Sequence, residues 1–503
     1  MKNLTISIIM PIIGIFLGWC FPNFSWASIE VDGIYYELDS LNNTAQVVEG
    51  HYHGDITIPA DVVFEGKTYS ITSIGESAFR LASISSVVIG DNVTTIGKRA
   101  FYDCHVLKSV TIGKGVTTIG ELAFYECSTL PSITIPGNVS IVEPKSFEGC
   151  QKLTSVVIED GVSKISFRAF ALCYGMTDLS IGNSVETIGD MAFYSCRNLT
   201  SVVVPNSVTS IGEMAFQRCD SLKTVTIGDG VKTIGNGAFA FLGKLVSITL
   251  GENVSAIGDV VFYQCVKLSS ITIPASVVSI GNNAFLSCLN LTKVTINSDS
   301  IMSKDYSFSS MFGNSVEEYV IGEGVTSIGE DAFSQSWMTK LTLPSSLDFI
   351  GEGAFAYCYY LESVIIPEGV VDIKDYTFSG CTSLTSVTIG SNVKSIGYEA
   401  FSTCRSLTSI TVKGESPASI RNSTFSEFDK SKCTLYVPLG SKSAYEAVDY
   451  WKDFPNIVES QTCLKTLRID KSSECLYDLQ GRKQKEAPHR GFVIRDGRVI
   501  HGQ

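Results

Sequence analysis

A chain of 503 residues is longer than one compact core requires, so several domains or one long array are expected. Its 51 acidic residues outnumber 38 lysines and arginines, and the resulting formal charge of −13 opposes the phosphate contacts on which nucleic-acid binders depend. Forty-three glycines against 14 prolines point to many regular turns and little disorder.

The N-terminus reads as an export signal. Lys2 precedes an apolar run from Leu4 to Gly18, and Ser25-Trp26-Ala27 places small residues at the −3 and −1 positions of a cleavage site. Residues 1–27 are therefore expected to be a signal peptide cut between Ala27 and Ser28. The run is short and broken by Pro11, which argues against a membrane span of about 20 apolar residues. A retained anchor and a lipoprotein attached at Cys20 are the minor alternatives, the latter disfavoured by the bulky Trp19 before it.

From residue 71 to 412 one pattern recurs. Phenylalanines stand at 79, 101, 124, 147, 170, 193, 216, 239, 262, 285, 308, 333, 355, 378, 401 and 425, nearly always 23 apart, which makes about sixteen units. Within a unit, Leu222-x-x-Val225-x-Ile227 has the two-residue alternation of a strand with one buried face. Gly or Pro then ends the strand, Val231-x-x-Ile234-Gly235 supplies a second short extended piece, and Ala238-Phe239 through Leu245 fits about one turn of tight helix. One unit cannot bury its own apolar face, but stacked units can, so a β-rich solenoid with a continuous column of Val, Ile, Leu and Phe is expected.

Eleven cysteines keep the same register, three residues after the repeat Phe: Cys104, Cys127, Cys150, Cys173, Cys196, Cys219, Cys265, Cys288, Cys358, Cys381 and Cys404. An even spacing of 23 resembles no zinc or redox motif. Either these are free buried thiols acting as small hydrophobes or they form rung-to-rung disulfides. Parallel side chains suit bridge geometry badly, and the units at Phe239, Phe308 and Phe333 lack the cysteine, so free thiols are expected.

The core I-G-x-x-A-F-x-x-C-x-x-L-x-x-V-x-I resembles the BspA-like, Treponema-type leucine-rich repeats of surface proteins from Bacteroidetes-type bacteria. The segment from Val31 to Pro59 is similar to the N-terminal cap of such arrays (residues 28–70), and Cys433 through Trp451 looks like their closing unit (413–460). The physics asks for both, since end repeats must cover an exposed core. The tail, 461–503, resembles the C-terminal sorting tails of exported proteins in its Leu476–Arg482 and Gly491–Ile500 stretches; a small β-hairpin extending the cap is the alternative. Cys463 and Cys475 could pair there in an oxidising compartment. The resemblance implies a secreted or surface-displayed protein and, since several members are adhesins, a host or extracellular matrix partner of the fibronectin or fibrinogen kind.

Little else carries chemistry. His51-Tyr-His53-Gly-Asp55 puts two imidazoles on one strand face, enough to suggest a metal, but no clear third ligand stands near, and a solvated cap strand explains it as well. Gly228-Asp-Gly230 and Gly322-Glu-Gly324 are turns whose acids would repel phosphate, and there is no G-x-S-x-G elbow. An enzyme is not expected, nor any cofactor, metal or nucleic acid; a monomer meeting membranes only through export or surface attachment is. Outward strand residues such as Thr224/Thr226 and Ser247/Thr249 form a carpet of hydroxyls, either ordinary strand chemistry or a polar docking strip.

The pattern fails between about 297 and 345. The Phe308-to-Phe333 unit is 25 long, Met311 replaces its Cys, and Asn314 stands where Leu is expected. Tyr306, Phe312, Tyr319, Trp337 and Met338 enrich the stretch in large side chains, with Tyr357, Tyr359 and Tyr360 just after. Either they refill the column or they form a binding bulge, and they are the candidate ligand-binding residues. The functional expectation is an adhesin-like binding protein engaging its partner through the solenoid surface; a structural spacer and a glycan-binding accessory are the alternatives.

Overall fold

The computed structural model describes residues 28–304 and 307–460, together with four strand segments of the tail. Residues 1–27, with the expected cleavage position after Ala27, and Tyr306, Cys463 and Cys475 lie outside the described residues.

Each rung has three edges. The first is the alternating strand: Thr224–Ile227 pairs in parallel with Ser201–Val204 before it, and Val225 faces Val202 and Ile248 on the rungs either side. Val225 and Ile227 are buried and Thr224 and Thr226 exposed, as the alternation requires. The second edge is a two-residue strand such as Thr233–Ile234, stacked in parallel on Ser210–Ile211. These short strands run unbroken from Thr95–Ile96 to Ser279–Ile280 and grow out of the antiparallel strands Ser28–Val31, Ile34–Asp39 and Thr44–Val47 of the N-terminal cap.

The third edge, read from sequence as tight helix, is a ladder of turns. Residues two before and two after the repeat Phe take positive φ in rung after rung: Met191 and Ser195, Met214 and Arg218, Glu399 and Thr403. A left-handed residue on each side of the Phe forbids a helical turn. Alternate amides donate instead to the next rung. Met214, Phe216 and Arg218 bond the carbonyls of Asn236, Ala238 and Ala240 at 2.9, 2.8 and 3.1 Å, while Gln217 and Cys219 close local turns. This inter-rung bonding offsets the roughly 1–2 kcal/mol that a left-handed non-glycine residue costs.

The phenylalanine rings stack inside this edge. From Phe79 to Phe285 successive centroids lie 4.9 to 6.0 Å apart, and all these rings are fully buried. Each end of the column has an aromatic lid. Tyr52 packs on Phe79 at 4.3 Å, and Trp451 and Phe454 meet Phe425 edge-on at 5.7 and 5.5 Å. Trp451 is anchored by its indole N–H donating to the Ala418 carbonyl at 2.8 Å. Thr434–Pro438 and Asn456–Ser460 continue the first edge in parallel beyond Ser409–Val412. In the tail, Phe492–Arg495 and Arg498–His501 form an antiparallel hairpin.

The irregular unit is a compensated insertion. Glu318–Ile321 pairs with Lys293–Ile296 at an offset of 25 residues, then Lys340–Thr342 pairs with Glu318–Val320 at 22. Two short helices, Asp299–Met302 and Phe308–Phe312, absorb the difference. Two phenylalanines serve where one normally does: Phe312 packs on Phe285 at 4.8 Å and Phe308 on Phe333 at 5.1 Å. The leucine slot falls to buried Val316, three residues before the inward Tyr319; Asn314, expected there from alignment on Phe308, is exposed.

Phe216→Ala is expected to lower stability by about 3–5 kcal/mol, since both neighbouring rings lose their partner and a fully enclosed site cannot collapse. Chemical denaturation with a circular-dichroism readout checks it.

Candidate functional site

The cysteines are the most numerous reactive groups, and the structure makes them structural. The twelve cysteines from Cys104 to Cys433 are free and buried. In all eleven ladder positions the thiol donates to the carbonyl of a phenylalanine one rung back, for example Cys219 Sγ to Phe193 O and Cys404 Sγ to Phe378 O, both at 3.3 Å. A small apolar side chain with one weak donor fits this slot, which accounts for the residue type. Burial pushes the Cys104, Cys150 and Cys288 thiols up to about 12 and holds those of Cys127, Cys173 and Cys265 well above the ordinary range. Buried, protonated thiols are poor nucleophiles and poor ligands.

His53 opens the cap strand His53–Ile58 and His51 precedes it, both exposed, so the two do not share a strand face as expected. The Asp55 carboxylate is engaged by the hydroxyls of Ser85 and Ser86 at 2.7 and 2.6 Å. Those two hydrogen bonds hold its pKa below the usual carboxylate range. Among the described residues no group of three or more His, Cys, Asp or Glu could hold a metal ion. No helix among them is long and apolar enough to cross a membrane. The hydroxyl carpet faces solvent, but exposed Val88, Val157, Val203 and Ile365 interrupt it.

The aromatic candidates separate into two groups. Phe312, Tyr319 and Met338 are fully buried and fill the column, so they are corrected from partner contacts to core: Tyr319 takes the inward strand position opposite Val294, edge-on to Phe333 at 4.9 Å. Trp337, Tyr357, Tyr359 and Tyr360 are 50 %, 46 %, 44 % and 49 % exposed, a level unusual for side chains of this size. Trp337 and Tyr360 lie 5.9 Å apart, Tyr357 and Tyr359 6.2 Å. All four stand on the turn edge, two to five residues after a repeat Phe. Tyr357 itself has φ 59° and its ring lies against Gly380, where any Cβ would meet the ring at 2.6 Å.

Tyr376 and Tyr398 extend this row, 5.5 Å apart and partly exposed, and were not among the residues singled out from sequence. Their signal was positional: they stand two and three residues before a repeat Phe, on the same outward edge. Burial, then the carboxylates of Glu399, Asp375 and Glu352, raise the Tyr376 phenol above its usual value.

The stacked parallel rungs, most with a buried leucine before the first strand, define a leucine-rich-repeat solenoid. The chain matches the family described as BspA type leucine rich repeat region (6 copies) over residues 72–200, 186–313 and 304–432, and it belongs to that family. Among solved structures it is similar to a leucine-rich repeat protein from Bacteroides ovatus (25 % identity, 76 % of this chain and 94 % of that one, TM-score 0.44). It is similar also to a leucine rich cell surface protein from Faecalibacterium prausnitzii (26 % identity, 77 % and 95 %, TM-score 0.23). A leucine rich repeat protein from T. pallidum is a third (22 % identity, 51 % and 87 %, TM-score 0.25). No curated protein matches.

The raised thiols set an alkaline limit. Unfolded thiols ionise from about pH 8.5, while the folded ones stay protonated, so the folded state then binds more protons and stability falls as pH rises. The melting temperature is expected to be insensitive to these groups below pH 8 and to drop progressively toward pH 12. A Cys150→Ala/Cys173→Ala variant should show a shallower drop in the same melting series.

Proposed function

We propose that this is an exported or surface-displayed, non-catalytic binding protein, adhesin-like in character, that engages an extracellular protein through the turn edge of the rungs from Phe333 to Phe401. The observation that carries this reading is the row of half-exposed aromatics led by Trp337 and Tyr360. Aromatic side chains dominate the energetics of protein interfaces, and solvent exposure of several adjacent ones is not needed for a fold whose column is already filled by Phe308, Phe312, Phe333 and Phe355. The apolar leader supports export, and the family's host-matrix binding suggests fibronectin- or fibrinogen-like partners. The same exposed rings favour a second reading, a glycan-binding accessory, because sugar faces stack on Trp and Tyr.

The test is saturation binding of the immobilised chain to fibronectin, fibrinogen and an albumin control, alongside Trp337→Ala/Tyr360→Ala. Saturable binding to a matrix protein is expected, with affinity reduced tenfold or more in the variant and the melting temperature unchanged. Flat traces with all three proteins sink the matrix-protein reading. Loss of stability together with binding would return Trp337 and Tyr360 to a packing role.

A further inference from the structure

The turn edge is used in two ways along this solenoid. In the N-terminal half its aromatics already hold cations. The Arg197 guanidinium lies 4.8 Å over the Tyr174 ring, and Tyr174 and Arg197 both stand four residues after a repeat Phe, on consecutive rungs. Arg218 lies 5.1 Å over Phe241, each two residues after its Phe, and Arg80 lies 5.8 Å over Tyr102. The corner spacing of adjacent rungs therefore suits a guanidinium on an aromatic face.

In the rungs from Phe333 to Phe401 the same corner positions carry aromatics on both sides. Trp337 and Tyr359 take the places that Tyr174 and Arg197 take earlier, and Tyr357 takes the place of Phe241. Among the described residues no lysine or arginine lies over the rings of Trp337, Tyr357, Tyr359, Tyr360, Tyr376 or Tyr398. Of the nearby cations, Lys374 sits over Phe349 and beside Asp372, Arg405 faces Glu427 and Lys430 pairs with Asp453, while Arg421 lines a shallow hollow beside Tyr398 and Glu399. Carboxylates stand on the other side of the repeat Phe, two or three residues before it. Glu352, Asp375 and Glu399 lie around Tyr376, Glu399 also beside Tyr398, and the Asp375 carboxylate accepts from the Tyr398 backbone N–H at 2.6 Å.

We propose that the faces of Tyr357, Tyr376 and Tyr398, rimmed by Glu352, Asp375 and Glu399, are a receptor for an arginine-rich segment of the partner protein, each guanidinium stacking on a ring and pairing with a carboxylate. The inference rests on the proposed binding function and names the chemistry of its partner. Arginine is favoured over lysine because a planar guanidinium both stacks and bonds a carboxylate bidentately. Glycans and acidic peptides lack that charge complementarity.

The test uses the full chain and a fluorescent nona-arginine peptide in polarisation titrations, with nona-lysine, nona-glutamate and cellohexaose as comparison probes. Saturable binding of nona-arginine is expected, tighter than nona-lysine and weakening as salt rises. Tyr376→Asn, which keeps a residue tolerant of positive φ, and Glu352→Gln/Glu399→Gln should each weaken it at least tenfold with unchanged melting temperature. The control Glu186→Gln/Glu252→Gln, exposed acids on other rungs, removes as much charge and should leave affinity within twofold. Equal losses in the control and site variants would reduce the effect to net charge and overturn the proposal. So would binding of cellohexaose but not nona-arginine at these residues. Matrix-protein binding that needs Trp337 and Tyr360 yet coexists with no nona-arginine binding would overturn the partner chemistry while leaving the binding function standing.

Discussion

Everything in this molecule depends on hydrogen bonds that a rung makes only with its neighbours. On all three edges backbone donors and acceptors point along the array: strand to strand on the first two, and Met214, Phe216 and Arg218 to the rung ahead on the third. A rung removed from the stack would expose its column of Phe, Leu, Val and Ile and orphan these groups together. Stability is therefore a nearest-neighbour property, and the ends need lids. Tyr52 at one end and Trp451 with Phe454 at the other supply them in chemically similar form.

The same constraint explains why chemistry is confined to the surface of one edge. Inward positions are committed to packing, and even the thiols are spent on carbonyls of the preceding rung. Outward strand positions hold many Ser and Thr, with Val88, Val157, Val203 and Ile365 and the Lys293–Glu318 ion pair among them. The turn edge carries both the internal cation–aromatic pairs and the exposed aromatics, some of them, such as Arg218, Phe241, Tyr357 and Tyr376, at left-handed positions.

Much of the fold was legible because the period is strict. Val-x-Ile alternation gives the buried strand face, the 23-residue recurrence gives parallel stacking, and the cysteine register argues against bridges. The third edge was misread because Phe216, Cys219 and Leu222 stand three apart, a spacing that a helical turn would also produce; nothing in their identities marks Met214 and Arg218 as left-handed. The irregular unit failed for a related reason. Phe308 and Phe312 both qualify as the repeat Phe, and counting from the first put Asn314 in the leucine slot. Counting back from Tyr319-Val-Ile321, which keeps the strand pattern, would have found Val316 and shown Tyr319 to point inward. The exposure of Trp337, Tyr357, Tyr359 and Tyr360 follows from the same register, whereas the company of Glu352, Asp375 and Glu399 around Tyr376 needs neighbouring rungs to be brought together in space.

The compensated offset of 25 and then 22 residues has a mechanical meaning. A solenoid pulled from its ends gives way one rung at a time, each releasing the same length of chain, about 75 Å for 23 residues. Between Lys293 and Lys340 the steps are unequal and the second-edge ladder is interrupted, with Ser279–Ile280 and Ser327–Ile328 in separate sheets. The ladder breaks again between Phe349–Ile350 and Asp372–Ile373, so under load the array is springs in series joined at more than one seam, and the exposed aromatic row rides across the second of them.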